Sequence, residues 1–263
     1  GIKNDNCPSN CHYERKDDIG PVEERAGHYN NNWGYEVSDG MGAMEFLQFC
    51  EDINTKPLYV TNIGIGHGWY QNADSLQYYI QDALDFIEFC NGDASTTWGA
   101  KRIALGHTAP FNLQLMEIGN ENNPMLGKNE DTIHDYYYRY QQFYKAIHAA
   151  YPDIKFIGCT SWNGGGWADS CKADYGDEHY YDNPAWFINH YTKYDGKTAS
   201  ESVKSYVGEY AVTKEYGTTG DLEAALGEGV FMQGMEKNSR YVKMASYAPI
   251  FWNEDMNYGW APD

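Results

Sequence analysis

Four polar residues stand at the carboxyl ends of four different predicted strands of this 263-residue chain. They are Asn62, Glu121, His179 and Glu209. In a parallel α/β barrel such strand ends meet on one face, which is where these folds build their active sites. A carboxylate that serves only structure has no reason to prefer that end. The placement therefore predicts a site that draws residues from several strands.

Two of these residues, Glu121 and Glu209, could form a pair of catalytic carboxyl groups. Hydrolysis of a glycosidic bond needs one carboxyl group to protonate the leaving oxygen and another to attack the anomeric carbon or activate water. In an enzyme that retains configuration, the two groups would lie about 5 Å apart. Glu117, four residues before Glu121 and on the same strand face by parity, is the alternative for the acid.

Other polar and aromatic residues could support that chemistry. Asn120 could donate a hydrogen bond to the 2-hydroxyl of a sugar, and this bond would strengthen in the transition state. His179 and Tyr181 could hydrogen-bond the second carboxylate and hold it ionised and aimed. Asn62 and Trp252, which belong to the first and last predicted strands, are further candidates for substrate binding.

The motifs of other enzyme classes find little support. The sequence has no Gly-x-Ser-x-Gly elbow, no HExxH and no EF-hand pattern. Glycines at 64, 66 and 68 follow a strand, but Trp69 stands where a dinucleotide-binding loop requires its third glycine. Cys7 and Cys11 could form a local bridge or half of a metal site, without a second matching pair. Neither a metal nor a cofactor is expected.

Composition narrows the class of ligand. The net charge of -19 argues against nucleic acid, because phosphate binding requires clustered Lys and Arg. Aromatic residues make up 16% of the chain, including 24 Tyr and 8 Trp, and these rings either fill the core or stack on sugar faces. No apolar run is long enough to span a bilayer. A neutral or weakly charged ligand fits best.

Strand and helix patterns alternate along the chain, which predicts parallel strands with crossover helices in an open sheet or a closed barrel. Residues 1–39 are predicted to be loop, and Cys50 and Cys90 are predicted to be buried thiols on helices. The predicted helices begin near Met41, Leu76, Ile133, Pro184 and Leu222. The six predicted strands lie in "KPLYVTNIG", "NLQLMEIG", "IKFIGC", "YGDEHYY", "SYVGEYA" and "SYAPIFW", with a glycine-rich loop at "WNGGGW".

Six phrases spread over most of the chain carry a family resemblance. They are "GPVEERAGH", "EFLQFCED", "MEIGNEN", "DEHYYDNPAWF", "VGEYA" and "KMASYAPIF", in that order. Together they resemble glycoside hydrolase family 51, the α-L-arabinofuranosidases. The resemblance implies that Glu121 is the general acid/base and Glu209 the nucleophile of a retaining mechanism. It also implies that Asn120 binds the 2-hydroxyl and that His179 and Tyr181 lie near the nucleophile.

The fold implied by the resemblance is an incomplete TIM (β/α)8 barrel of clan A. About six of the eight β/α units are present, and they correspond to the third through eighth strands of the family's barrel. The family's earlier Pro-Gly-Gly segment, a Glu from its first strands and its accessory β-sandwich are not found. Residues 1–263 are therefore predicted to be one partial catalytic barrel domain.

The activity implied by the resemblance is that of an exo-acting α-L-arabinofuranosidase. It would release terminal arabinose from arabinoxylan or arabinan without a cofactor. Its partner would be an arabinose-containing polysaccharide or oligosaccharide, and it would be secreted and bind neither nucleic acid nor membrane. The alternatives are another clan A glycosidase, such as an endoglucanase or xylosidase, and an inactive sugar-binding fragment.

Overall fold

Strands and crossover helices alternate along the chain, as the hydrophobic pattern predicts. The computed structural model describes residues 15–30, 35–66, 69–71, 75–122, 136–160, 171–213 and 221–250. The chain divides into two units, one formed by residues 1–159 with 170–172 and the other by residues 160–169 with 173–263. Each unit has its own group of three parallel strands.

The first unit contains parallel strands β3, β6 and β7, with β6 between the other two. Leu58 of β3 lies opposite Leu115 of β6, which lies opposite Lys155 of β7. Two short antiparallel pairs, β1 with β2 and β4 with β5, lie outside this ladder. The elements are β1 (His28–Asn30), β2 (Tyr35–Val37), α1 (Ala43–Asp52), β3 (Leu58–Thr61), β4 (Ile65–Gly66), β5 (Trp69–Tyr70), α2 (Leu76–Asn91), α3 (Thr97–Ala104), β6 (Leu115–Ile118), α4 (Tyr136–Ala150) and β7 (Lys155–Cys159).

The second unit contains parallel strands β8, β9 and β10, with β9 in the middle. Its elements are β8 (Tyr175–Asp182), α5 (Pro184–Asn189), β9 (Lys204–Val212), α6 (Leu222–Lys237) and β10 (Val242–Ala245). Asn183 caps α5 by accepting a hydrogen bond from the Trp186 backbone N–H, and Pro184 supplies the fixed φ suited to a first helical position. Asp221 caps α6 in the same way through Ala224.

The core of the second unit lies between its sheet and helices α5 and α6. Phe231 of α6 contacts Tyr180 of β8, Phe187 of α5 and Tyr210 of β9, with ring centroids 5.4–6.2 Å apart. Such aromatic pairs add to the free energy gained by burying their surface. This packing defines one face of β8 and β9 as the helix side. Residues that alternate with Tyr180 on β8 therefore point to the other face.

Three sequence predictions about elements were wrong. The predicted loop 1–39 contains the β1–β2 hairpin, whose three-residue strands are too short to show a period. The polar stretch before β6 contains α3, which begins because Thr96 caps the Gly99 backbone N–H. Among the described residues, the last strand is Val242–Ala245, and residues 246–250, which begin "SYAPIFW", are not in a strand. Pro249 within that phrase has no backbone N–H to donate to a ladder.

The prediction for the two helical cysteines was half right. Cys90 is buried within α2, whereas Cys50 is only partly buried. Helix α1 buries its first turns through Ala43, Met44 and Leu47, but Ile53 at its end is 51% exposed. The apolar stripe of α1 thus runs further than the surface that covers it.

A buried guanidinium group stabilises the turn that follows β3. Arg139 of α4 is fully buried and donates hydrogen bonds to the carbonyl oxygens of Ile63, Gly64 and Gln71. Burial lowers the pKa of Arg139 below its ordinary value, yet a guanidinium remains charged at neutral pH. These bonds hold both ends of the β4–β5 hairpin against α4.

Replacing Arg139 by methionine is expected to lower the free energy of unfolding by about 3 kcal/mol, because three buried carbonyl groups lose a donor at about 1–3 kcal/mol each. The thermal midpoint of the protein at its full natural length would measure this. Arg240→Met, at an exposed position, is the matched control and should leave the midpoint nearly unchanged. Equal midpoints for the two variants would contradict the assigned role.

Candidate active site

The loop after β6 turns sharply at Gly119 and Glu121. Their φ angles are 85° and 54°, both in the left-handed region. A Cβ on Gly119 would collide with Oδ1 of Asn122, and this oxygen accepts a 3.0 Å hydrogen bond from the Asn120 backbone N–H. A non-glycine residue in this region costs about 1–2 kcal/mol. Strain of this kind persists where the surroundings enforce it and is concentrated at functional sites.

The alternative acid, Glu117, occupies a different environment from Glu121. Glu117 is 2% exposed inside β6, with its Oε1 3.9 Å from Sγ of Cys159, whereas Glu121 is half-buried. Strand alternation ends at Ile118, because the left-handed residues after it interrupt the extended backbone, so parity does not place Glu121 on the face of Glu117. An acid must reach the leaving group of a bound sugar, so exposure favours Glu121.

A buried tyrosine fixes the end of β6 relative to β7. The hydroxyl of Tyr136 donates to the Ile118 carbonyl oxygen at 2.7 Å and accepts from the Cys159 backbone N–H at 2.8 Å. Burial raises the pKa of Tyr136 well above its ordinary value, so the phenol remains a neutral donor. These two hydrogen bonds fix the position of Ile118, the last residue of β6, and the loop that carries Glu121 begins there.

Asn62 immediately follows β3, as predicted, and its side chain shapes the next turn. Its Oδ1 accepts a 2.8 Å hydrogen bond from the Gly64 backbone N–H, and Gly64 has a φ of 74°. A substrate contact from Asn62 would therefore use the side-chain NH₂. The chain then continues into the β4–β5 hairpin, whereas a dinucleotide-binding loop would open a helix.

In the second unit, an extra residue interrupts the pairing of β8 with β9. Glu178 lies opposite Val207, but His179 lies opposite Glu209. Gly208 is thus the additional residue of a β-bulge. The bulge brings the His179 and Glu209 side chains side by side on one face of the sheet, since paired residues of neighbouring strands share a face.

The bulge determines which face of the sheet Glu209 occupies. Val207 and Tyr210 both pack into the core on the helix side, although they are three residues apart. In an unbroken strand Glu209 would share the side of Val207 and lie opposite Tyr180, which belongs to the same core. With Gly208 inserted, Glu209 points away from the helices.

Glu209 accepts a hydrogen bond from tyrosine and contacts histidine. The Tyr181 hydroxyl donates to Oε2 of Glu209 at 2.6 Å, and Nδ1 of His179 lies 3.3 Å from the same oxygen. On the other side of the ring, Nε2 of His179 lies 2.6 Å from Oδ2 of Asp177. Donors aimed at a carboxylate favour its ionised form, as an attacking group requires.

The helix side of β8 carries a second carboxylate, which the sequence reasoning did not consider. Glu178 is 7% exposed and its Oε2 accepts hydrogen bonds from the hydroxyls of Tyr180 and, at 2.7 Å, Tyr194. Burial raises the pKa of both phenols well above the ordinary value, so both remain donors. This cluster is internal to the second unit and lies on the opposite face from His179.

The structure brings together three of the predicted site residues: His179, Tyr181 and Glu209. His179 and Glu209 lie in the carboxyl-terminal halves of β8 and β9, and the parallel pairing continues for three residues beyond them. Asn62, Asn120 and Glu121 belong to loops of the first unit. Trp252, and the proposed pair Cys7 and Cys11, lie outside the described residues.

Sequence reasoning missed Asp177, although a signal for it was present. Asp177, His179 and Tyr181 are spaced two residues apart on a strand, and such residues line one face. All three take part in the contacts that lead to Glu209. Asn122 was also missed, since its role depends on the turn at Gly119.

Comparison with known proteins identifies the family. Residues 4–199 match the model of the α-L-arabinofuranosidase 1 domain, and residues 208–263 match that of the α-L-arabinofuranosidase C-terminal domain. The chain belongs to the α-L-arabinofuranosidases of glycoside hydrolase family 51. It is 42% identical over 250 residues to α-L-arabinofuranosidase 1 of Arabidopsis thaliana. It is 39% identical over 263 residues to an extracellular exo-α-L-arabinofuranosidase of Streptomyces chartreusis.

The relatives are longer than the chain, which covers 35% of the Arabidopsis protein and 30% of the Streptomyces protein, with 94% and 95% of its own length aligned. Among solved structures, the arabinose-bound MgGH51 α-L-arabinofuranosidase is 32% identical with a TM-score of 0.84, over 97% of this chain and 41% of that one. The fold class is thus an incomplete TIM barrel, as predicted, with six parallel strands in the described residues. Within those residues, none of the helices has the length and hydropathy of a membrane span.

Proposed function

We propose that this chain carries the catalytic residues of a retaining, exo-acting α-L-arabinofuranosidase. In this proposal residues 1–263 belong to one catalytic barrel domain. The observation that carries it is the environment of Glu209, a half-buried carboxylate that accepts a hydrogen bond from Tyr181 and faces the ring of His179. A carboxylate held in this way is suited to attack an electrophilic carbon.

The reaction would proceed in two displacements. Glu209 attacks the anomeric carbon of the arabinofuranosyl group while the bond to the leaving oxygen breaks, and Glu121 gives that oxygen its proton. Glu121, now ionised, then takes a proton from water as the water attacks the same carbon and the bond to Glu209 breaks. Two inversions give net retention, and the chemistry uses only carboxyl groups and water.

Residues around the two carboxyl groups would assist each step. Tyr181 and His179 stabilise Glu209 as an anion before attack and again as it leaves. Asn120 is adjacent to Glu121 on the strained loop and is assigned to the 2-hydroxyl of the sugar. Asn62 and Trp252 are assigned to substrate contacts further along the site.

The proposed substrate is a terminal, non-reducing α-L-arabinofuranosyl residue of arabinoxylan or arabinan. Two comparisons support an arabinose-containing substrate, since the relatives are named α-L-arabinofuranosidases and a solved neighbour is arabinose-bound. The extracellular Streptomyces relative supports secretion of the protein. Polymers of this kind are too large to cross a membrane, which agrees with a site of action outside the cell.

The function is tested by hydrolysis of 4-nitrophenyl α-L-arabinofuranoside and of arabinoxylan by the protein at its full natural length. We expect release of arabinose whose first-formed anomer has the α configuration, detected by proton NMR before mutarotation. The main chain of the arabinoxylan should keep its length. A shortened main chain with arabinose still attached would indicate an endo-acting clan A glycosidase, and binding of arabinosides without turnover would indicate a sugar-binding protein.

A further inference from the structure

Three residues at alternate positions of β8 line the face that carries Glu209. Asp177 is 3% exposed and His179 is 8% exposed, so their contact is shielded from water. Asp177 does not contact Glu209 in any described hydrogen bond or ion pair, but it contacts the far side of the histidine ring that does. The arrangement is a carboxylate, an imidazole and a second carboxylate in sequence.

The chemistry of imidazole limits what this arrangement can do. A neutral ring has one N–H and one lone pair. If Nε2 of His179 donates to Asp177, a neutral ring would direct the lone pair of Nδ1 at the ionised Glu209, and the two would repel. A ring protonated on both nitrogens donates in both directions. The negative charge of Asp177 balances that cation.

Gly208, the extra residue of the bulge, leaves space for the Asp177 carboxylate. A Cβ on Gly208 would collide with Oδ1 of Asp177. Gly208 precedes Glu209 and is the extra residue that directs Glu209 away from the helices. One position thus serves two requirements, the aim of Glu209 and space for Asp177.

We propose that Asp177 is a positioning residue for the nucleophile: it holds the His179 ring so that Nδ1 donates to Glu209, and Gly208 provides the space that Asp177 occupies. The proposal rests on the assignment of Glu209 as the nucleophile of the proposed function. Asp177 touches neither the sugar nor the reacting atoms and acts through His179 alone. An orienting carboxylate behind a histidine has the same role in other hydrolases.

The first test is Asp177→Asn in the full-length protein. We expect kcat/KM for 4-nitrophenyl α-L-arabinofuranoside to fall about 10- to 100-fold, by comparison with carboxylates that orient a histidine elsewhere. The fall should lie in kcat, and inhibition by L-arabinose should be unchanged, because Asp177 does not bind the sugar. Unchanged kcat, or a loss confined to KM, would overturn the proposal.

Glu178→Gln is the matched control. Glu178 is the next residue of the same strand, is similarly buried and loses the same charge, but it faces the helix side. It should lower the thermal midpoint and leave kcat nearly unchanged. An equal loss of kcat in both variants would mean that Asp177 acts only through the stability of β8.

A double-mutant cycle tests the role of the glycine. Gly208→Ala alone should reduce kcat, because the methyl group displaces the Asp177 carboxylate. In the background of Asp177→Ala, the same change should have little further effect, since the colliding oxygen is gone. Additive losses would show that Gly208 does not serve Asp177.

A spectroscopic measurement separates this proposal from the proposed function. In ¹⁵N spectra of the histidine rings, with His179 assigned by His179→Gln, we expect protons on both ring nitrogens in the wild type and on one in Asp177→Asn. If the ring signals differ in this way between the wild type and Asp177→Asn, but the wild type hydrolyses no arabinofuranoside, the proposed function is refuted. The contact between Asp177 and His179 is then still established. An active wild type whose ring signals do not respond to Asp177→Asn would refute the positioning role alone.

Discussion

Replacing Glu209 by alanine is expected to reduce turnover of 4-nitrophenyl α-L-arabinofuranoside by a factor on the order of 10⁵, because the covalent intermediate can no longer form. The side chain is half-buried and points away from the helix core, so its removal should leave the fold intact. The thermal midpoint should therefore change little. Glu236→Ala, at an exposed position of α6, is the control for removal of a carboxylate and should remain fully active.

Chemical rescue tests the assigned role of Glu209 directly. Azide can enter the space that the carboxylate leaves and attack the anomeric carbon, and the leaving phenol departs in the same step. A single displacement inverts configuration, so the product should be β-L-arabinofuranosyl azide. Azide product of retained configuration, or wild-type turnover in Glu209→Ala, would rule out Glu209 as the nucleophile.

Replacing Glu121 by alanine should give a loss that depends on the leaving group. For arabinosides whose leaving group needs a proton, we expect kcat/KM to fall about 10²- to 10⁴-fold, the usual contribution of general acid–base catalysis. An aryl arabinoside with 2,4-dinitrophenol as its leaving group needs no proton and should lose much less. Its second step should become slow, because no base activates water, and a burst of released phenol should appear.

Azide distinguishes the two carboxyl groups by stereochemistry. In Glu121→Ala, azide attacks the covalent intermediate from the open face, so the arabinosyl azide should have retained configuration, opposite to that from Glu209→Ala. Glu117→Gln is the matched control, since Glu117 is the alternative acid and lies inside β6, four residues before Glu121. If Glu117→Gln reproduced the leaving-group dependence and Glu121→Ala did not, Glu117 would be the acid.

The order of strands and helices was predictable because it depends on hydrophobic period and on local signals. Pro184 after Asn183 placed α5, and the apolar runs around Leu115 and Ile157 placed β6 and β7. Helix α3 was missed because it is short and is started by a single side-chain cap on Gly99 rather than by an apolar stripe. The start of α3 thus depends on one hydrogen bond, which the hydrophobic pattern does not show.

The orientation of Glu209 could not be predicted from alternation. Counting by twos from the buried Val207 would turn Glu209 toward the helices, where Tyr210 actually packs. Only the pairing of β8 with β9 reveals that Gly208 is an extra residue. The two-residue spacing of Asp177 from His179 places both on one face of β8, but the contact of Asp177 with the His179 ring is visible only in the structure.

Because the backbone of Glu121 is left-handed, selection for folding and selection for activity should favour different residues at position 121. A library of variants sorted only for yield of folded protein should enrich glycine at this position, because glycine adopts a φ of 54° without steric cost. The same library sorted for growth on arabinosides should reject glycine and recover glutamate. Position 121 would then be a site where the sequence best for folding and the sequence best for turnover differ by a single residue.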